Sequence, residues 1–388
     1  MTYPKAFLKK GKEKNLLNKH PWVFSGAIQS YEKKATDGDI FEICDSKGQY
    51  LATGYFGTAS IAFRILNFDQ RVIDQNFFEQ QFKALVQYRK QIGIWDNDYT
   101  NIFRLVHAEG DHLSGLIADV YDRNLIIHAH TTGIAQLISP IVDAVESIMK
   151  DRFDTIFFNT QEKHGIDTSS LLKGNTKDGI FKENGFDFYI NWAEGQKTGF
   201  FIDQRENRQL LKLYARGKKV LNTFCYSGAF SVYALNGGAK EVHSIDVSSK
   251  AMEWTQRNIE LNSFSGKHVS ECSDAFDYLK ECDSDFEIIV LDPPAFTKHI
   301  RTTPQAIIGY RNLNTIALKK IKKGGFLFTF SCSQAIDKDL FRKIIFQAAV
   351  QANRNVKIVY QLNQSLDHPI NVYHPEGEYL KGLLLYVE

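Results

Sequence analysis

Apolar residues fall along this chain in three successive rhythms. Up to about residue 72 they come as short runs broken by turn signals, Gly38-Asp39, Ser46-Lys47-Gly48 and Gly54. That pattern predicts a small, mostly β module over 1–72. From about 75 to 92, Phe77, Phe78, Phe82, Leu85 and Val86 recur at helical spacing. Strand-like runs at Leu116–Val120, Leu125–His128 and Thr155–Phe158, with a helical stretch through Ile138–Met149, predict a mixed α+β domain over 73–190.

The third rhythm, over 191–388, is the clearest. Lys219–Phe224 reads as a strand, Cys225-Tyr226-Ser227-Gly228 as a turn, and Ala229–Leu235 as a helix stopped by Gly237-Gly238. Glu241–Asp246 follows as a strand, and Ser248 or Ser249 can cap a helix through Asn262. Further strands fall at His268–Glu271, Phe286–Leu291, Phe326–Phe330 and Lys357–Tyr360. Strands alternating with helices predict a parallel, doubly wound sheet. In such a sheet ligands bind beyond the carboxyl ends of the strands, where the strand order reverses.

With 388 residues, the chain has room for two or three domains with proper cores. It carries no low-complexity tract, no heptad run, no apolar stretch of membrane-spanning length and no signal-peptide core at its start. Cys44, Cys225, Cys272, Cys282 and Cys332 form neither a CxxC pair nor a metal-ligand cluster with histidine. Scattered thiols fit a reducing, cytoplasmic setting without a bound metal. The net charge is only +2, yet Lys5, Lys9, Lys10, Lys12, Lys14 and Lys19 crowd the first twenty residues against Glu13 alone. Two more basic stretches run from Lys197 through Arg205, Arg208 and Arg216 to Lys219, and from Lys298 to Lys323. Basic patches on a balanced chain point to a local polyanion site; solvated lysine faces are the plainer reading.

The first strand-to-helix turn of the third region has no Gly-x-Gly-x-x-Gly and no phosphate-loop Lys-Ser/Thr. Phe224, Tyr226, Ser227 and Gly228 would seat a dinucleotide pyrophosphate badly. Asp246 ends the next strand, where an acid commonly binds ribose hydroxyls, and Asp274 follows the third strand, in reach of an adenine amino group. Acids without a phosphate cradle favour S-adenosylmethionine. Either aspartate alone could equally be a helix N-cap.

Two strand ends carry reactive chemistry. Asp292-Pro293-Pro294-Ala295-Phe296 makes a stiff turn, since proline fixes φ and restrains the residue before it. Such a turn can hold a carboxylate and backbone carbonyls against a flat polar edge. Phe330-Ser331-Cys332-Ser333 brings a thiol off another strand end. Together they suggest a base held flat while a thiol attacks its ring, although a buried strand-end cysteine is the commoner situation.

These residues match a family. The carboxyl half resembles the class I S-adenosylmethionine-dependent methyltransferases, with their Rossmann-like fold. The whole chain looks most like the bacterial large-subunit (23S) ribosomal RNA cytosine-5 methyltransferases that carry an N-terminal PUA-like domain. His20-Pro21-Trp22-Val23-Phe24-Ser25-Gly26 matches the PUA-like start. Arg104-Leu105-Val106, Gly110-Asp111, Leu113 and Gly115-Leu116-Ile117-Ala118-Asp119 match the middle domain. Gly195-Gln196-Lys197-Thr198-Gly199-Phe200-Phe201, with Asp203, Gln204, Arg205, Asn207 and Arg208, matches the segment over the cofactor. Asp367-His368-Pro369 and Tyr379-Leu380-Lys381-Gly382 match the end. His107-Ala108 departs from the usual small polar pair, and Ala295 stands where the family often has lysine.

The resemblance implies that Cys332 attacks carbon 6 of cytosine. It puts Asp292 on the N3 edge and the Pro293 carbonyl on the exocyclic amine, with Pro294 beside them and Phe296 or Tyr226 stacking on an unstacked base. Gln196, Lys197 and Thr198 would cover the cofactor, while for Asp203 and Arg205 structural bonds in a loop are an equal alternative. His368 would act as a base or substrate contact, an ordinary loop histidine being the alternative. The PUA-like module, with Lys9, Lys10 and Lys12, would dock structured ribosomal RNA, and a homodimer is compatible with this picture. Competing functions are a guanine-N methyltransferase needing no thiol, a non-catalytic RNA-binding assembly protein and, less well supported by the basic module, a small-molecule methyltransferase.

Overall fold

The structure, a computed structural model, describes residues 3–160, 169–297 and 300–388; Lys298, named in one basic stretch, lies outside them. The chain divides into two units: Met1–Phe181 with Ile190–Phe200 and Leu366–Gly377, and Lys182–Tyr189 with Phe201–Ser365 and Glu378–Glu388.

The short apolar runs at the start of the first unit form β1 (Lys5–Leu8), β2 (Trp22–Phe24), β3 (Ile28–Tyr31), β4 (Ile40–Cys44), β5 (Tyr50–Phe56) and β6 (Ile61–Asn67). They pair in the order β2-β6-β5-β4-β1-β3, with α1 (Lys14–Leu17) after β1. Alternation sends Ala6 and Leu8 inward onto Phe41, Ile43, Ala52 and Phe63. Next comes α2 (Gln75–Gln91), capped by Asp74, whose Oδ1 accepts from Phe77 N at 2.9 Å.

A second sheet, order β11-β10-β9-β8-β7, follows: β7 (Ile102–His107), β8 (Leu116–Tyr121), β9 (Asn124–Ala129), β10 (Thr155–Thr160) and β11 (Ser169–Lys173). Between β9 and β10 lie α3 (Thr132–Gln136) and α4 (Ile138–Met149). The apolar stripe Phe77, Phe78, Phe82 and Leu85 of α2 shares one core with Ile141, Ala144 and Val145 of α4. A two-stranded ribbon, β12 (Asp178–Glu183) and β13 (Phe186–Asn191), ends this part of the chain.

In the second unit α5 (Arg205–Tyr214) leads into β14 (Lys219–Thr223), α6 (Ala229–Asn236), β15 (Glu241–Asp246), α7 (Ser249–Glu260), β16 (Lys267–Cys272) and α8 (Ala275–Glu281). Then come β17 (Ile288–Leu291), α9 (Thr303–Lys320), β18 (Gly325–Ser331), α10 (Lys338–Ala352), β19 (Val356–Asn363) and β20 (Lys381–Val387). Among the described residues the sheet has seven strands in the order β16-β15-β14-β17-β18-β20-β19. Successive residues of one strand serve opposite cores. Ile289 and Leu291 meet Tyr310, Leu313 and Phe341 on one face, and Ile288 and Val290 meet Leu211, Phe230 and Leu235 on the other. Each such side chain contributes roughly 1.5–3 kcal/mol on burial.

Strict strand–helix alternation fails at the end. β20 runs antiparallel to both β18 and β19 and lies between them, with no α-helix separating it from β19. Leu383, Leu384 and Leu385 are buried because both faces of this inner strand are covered. Such a short continuous apolar run carries no period that would announce an inner strand.

Candidate active site

The parallel strands finish level. Thr223 pairs with both Ile245 and Leu291, Leu291 with Thr329, and Asp246 with Cys272. Phe224, Asp246, Asp274, Asp292 and Cys332 therefore leave the sheet along one edge. The strand order reverses between β14 and β17, in the middle of that edge.

The turn after β14 is held in an unusual shape. Phe224 and Tyr226 have φ of 54° and 50°, a conformation costing non-glycine residues about 1–3 kcal/mol each. Surrounding bonds offset that cost. Asp246 accepts from Tyr226 N through Oδ2 and from Ser248 N through Oδ1, both at 3.0 Å. From α7, Thr255 Oγ1 donates to Tyr226 O and Asn258 Nδ2 to Ser227 O, both at 2.8 Å. Gly228 has φ +73°, and a Cβ there would meet Thr255 Cγ2 at 2.6 Å, so both backbone and space require glycine. The Tyr226 ring packs edge-on against Phe201 and Trp254. Asp274 caps α8, with Oδ1 accepting from Phe276 N at 2.8 Å and Asp277 N at 3.2 Å. The N-cap reading of this aspartate holds, and both bonds fall on one oxygen.

Asp292 is half-buried, followed by buried Pro293 and exposed Pro294. Its Oδ2 accepts from Gln204 Nε2 at 3.0 Å. Gln204 Oε1 accepts in turn from Asn207 Nδ2 at 2.6 Å, and the same nitrogen donates to Asn363 O at 3.0 Å. Phe296 packs against Tyr310 with ring centroids 4.5 Å apart. Gln204 and Asn207 had no assigned role. The only signal in the sequence was two amides three residues apart inside the most specific matching string.

Cys332 is half-buried just past β18. A cation reaches its neighbourhood from β20. Lys381, only 3% exposed, pairs with Ser331, and its Nζ donates to Ser333 O and Tyr379 O, both at 2.7 Å. Burial, opposed by the Cys332 side chain, leaves Lys381 lowered to about 8. The Tyr310 hydroxyl meets Ser333 Oγ at 2.9 Å. A lysine opening a buried apolar strand is costly without partners, and that was its readable sign. Among the other thiols, burial pushes Cys44, Cys225 and Cys282 upward, Cys225 most strongly, which makes them poorer nucleophiles.

Other candidate residues belong to the first unit. Thr198 is buried, donating through Oγ1 to Asp119 Oδ2 at 2.5 Å, and Asp119 takes both Nε and Nη2 of Arg104. Gln196 and Lys197 precede it in the same loop. His368 is buried, with Nδ1 at 2.9 Å from Asp367 Oδ1 and its ring 4.9 Å from that of His107. Burial, then the His368 neighbour, holds His107 well below the usual imidazole range. Lys9, Lys10 and Lys12 are exposed, and Lys9 Nζ donates to Gly26 O at 3.0 Å. Lys12 and Lys14 rim a cavity of ≈ 450 Å³ whose wall includes Trp22 and Phe24.

The seven-stranded sheet, the tight turn at the order reversal and the strand-end acids together define a class I S-adenosylmethionine-dependent methyltransferase. Comparison with known proteins agrees. Residues 7–68 match a PUA-like domain family and residues 166–373 an S-adenosylmethionine-dependent methyltransferase family. The chain is 38% identical to the ribosomal RNA large subunit methyltransferase I of Pseudoalteromonas translucida over 390 residues, covering 98% of each chain. It is 34% identical to the protein of the same name from Escherichia coli O139:H28, covering 97% of each. Two solved structures share the fold over their full lengths at 22% identity. SMU.776, described as a methyltransferase and complexed with SAH, has a TM-score of 0.86, and a methyltransferase from Streptococcus mutans has 0.85. The chain belongs to the PUA-linked S-adenosylmethionine-dependent methyltransferase family that includes the ribosomal RNA large subunit methyltransferase I proteins. Its cofactor is S-adenosylmethionine. Among the described residues no cluster of His, Cys, Asp or Glu could hold a metal, and no helix is long and apolar enough to cross a membrane.

Proposed function

We propose that this protein methylates carbon 5 of a cytosine in large-subunit ribosomal RNA through a covalent bond to Cys332. The observation that carries this reading is the convergence of Asp292 and Cys332 on the ends of adjacent parallel strands, beside the order reversal. Its relatives' names supply the RNA class.

S-adenosylmethionine, when bound, supplies an electrophilic methyl group. Carbon 5 of cytosine is too weak a nucleophile to take it unaided. Cys332 Sγ adds to carbon 6, and a proton from the Asp292 carboxyl reaches N3, leaving an enamine whose carbon 5 takes the methyl. Loss of the carbon 5 proton then expels Cys332, and N3 returns its proton to the Asp292 carboxylate, which restores the ring. Asp292 is oriented for this task by Gln204, itself fixed by Asn207. The Pro293 carbonyl receives the exocyclic amine, Pro294 borders it, and Phe296, backed by Tyr310, lines the base site. Asp246 and Asp274 hold the ribose and adenine, against the turn of Phe224, Tyr226, Ser227 and Gly228. A ribosomal substrate and reduced thiols put the reaction in the cytoplasm.

The test is product identity. Unmodified ribosomal RNA and methyl-labelled cofactor are incubated with the protein, and the digested nucleosides are separated. Label in 5-methylcytidine supports the reading; label in a methylguanosine overturns it in favour of a thiol-free methyltransferase. Two further outcomes are expected. Asp246→Ala loses a ribose contact and the anchor of Tyr226 N, each a charge-assisted bond, so cofactor affinity by calorimetry falls about 10- to 100-fold. Changing Lys9, Lys10 and Lys12 together to alanine lowers the slope of log affinity for RNA against log salt by about 2 to 3. An unchanged slope removes these lysines from the interface.

A further inference from the structure

We propose that Lys381 is the activating partner of Cys332, taking the thiol proton and holding the resulting thiolate ready for attack. The inference rests on the thiol mechanism above and adds to it the group that makes the thiol reactive.

Placement comes first. β20 runs antiparallel beside β18 with Lys381 opposite Ser331, so its side chain lies at the strand end where Cys332 emerges. Nζ bonds the carbonyls of Ser333 and Tyr379, one of which belongs to the residue after Cys332. Two donors are thus committed, and Nζ has one position left. On a neutral amine that position is a lone pair; on an ammonium it is an N–H. Either protonation state suits an amine–thiol pair, with the proton on sulfur in one and on nitrogen in the other.

Charge balance comes second. A buried lysine needs an anion or gives up its proton. The two nearby carboxylates are engaged elsewhere. Asp337 Oδ1 accepts from Leu340 N at 2.7 Å to cap α10, and Glu378 pairs with Lys338. Lys338 itself opposes a positive charge on Lys381, and the Tyr310 hydroxyl, from α9, is turned to Ser333 Oγ. Cys332 is the leading charge partner, ahead of Asp337 and Glu378. Burial outweighs these partners and leaves Lys381 at about 8, where amine and ammonium are both accessible.

The chemistry then balances. The S–H bond breaks and its proton goes to the Nζ lone pair, giving a thiolate–ammonium pair. The sulfur electron pair forms the bond to carbon 6. When carbon 5 has lost its proton, the carbon–sulfur bond breaks and the thiolate returns to the ammonium.

The competing role for Lys381 is a structural clamp joining two carbonyls. Alkylation separates the two without using RNA. Full-length protein is treated with iodoacetamide across pH 6–10, and Cys332 labelling is followed by mass spectrometry. In Lys381→Met, and in Lys381→Gln, which keeps amide donors but no charge, the profile should move up by about one to two pH units. Lys381→Arg, permanently charged, should keep the thiolate at neutral pH. A folded Met or Gln variant whose profile lies on the wild-type curve overturns the proposal. If neither folds, the 13Cε resonance of Lys381 is titrated in wild type and in Cys332→Ser. A fall of about one unit supports the pair, and an unmoved titration overturns it. Methyl transfer by Cys332→Ala is measured in parallel. Activity there, with a shifted alkylation profile, leaves the pair standing and sinks the thiol mechanism; inactivity with unshifted profiles does the reverse.

Discussion

Replacing Cys332 by alanine lowers methyl transfer to cytosine by about 1,000-fold or more, while S-adenosylmethionine affinity stays unchanged. The size follows from the chemistry, because without a bond at carbon 6 no enamine forms and carbon 5 stays unreactive. Unchanged affinity follows from topology. Asp246 ends β15 and Cys332 follows the end of β18, three strand intervals or about 14 Å apart. Half-buried and small, Cys332 can lose its sulfur with little loss of packing. Single-turnover transfer of labelled methyl, with calorimetry of cofactor binding, checks both parts. Retained transfer would show Cys332 to be a packing residue and would return the guanine-N reading to first place.

Glu183→Leu destabilises the second unit by about 3–5 kcal/mol. Glu183 is fully buried and takes Arg208 Nε at 2.9 Å, Arg208 Nη2 at 2.7 Å and the Tyr233 hydroxyl at 2.9 Å. Arg205 Nε lies 3.4 Å from it as well. Leucine there would strand two buried guanidinium groups. Arg208 and Arg205 sit on α5, whose start directly follows Gln204, so activity should fall even below the unfolding midpoint as Asp292 loses its orienting bond. Equilibrium denaturation and single-turnover rates measure the two effects. Adding Arg208→Met should recover part of the stability, because most of the loss is an unpaired charge. A loss under about 1 kcal/mol would mean the arginines find water or other partners.

The alternating strands and helices of the carboxyl half were legible because each strand is a bounded apolar run between turn residues. Asp246, Asp274, Asp292 and Cys332 could then be placed on one edge, since parallel strands joined by helices end together. The glycine of the first turn was legible for the same kind of reason: a local conformation no other residue adopts cheaply. The position of β20 was not. Its leucines say buried, but being set antiparallel between β18 and β19 depends on which inner edge the sheet leaves open.

Side-chain partnerships across the fold were equally hidden. Gln204 is 88 residues from Asp292 in sequence, and Lys381 is 48 from Ser333. No spacing rule connects residues so far apart. By itself the sequence determined what local forces decide, namely the elements, the turn chemistry and the reactive residues at strand ends. Only the tertiary structure decided which buried amide orients Asp292 and which buried lysine stands beside Cys332. Those choices come from long-range packing and from the need to pair every buried polar group.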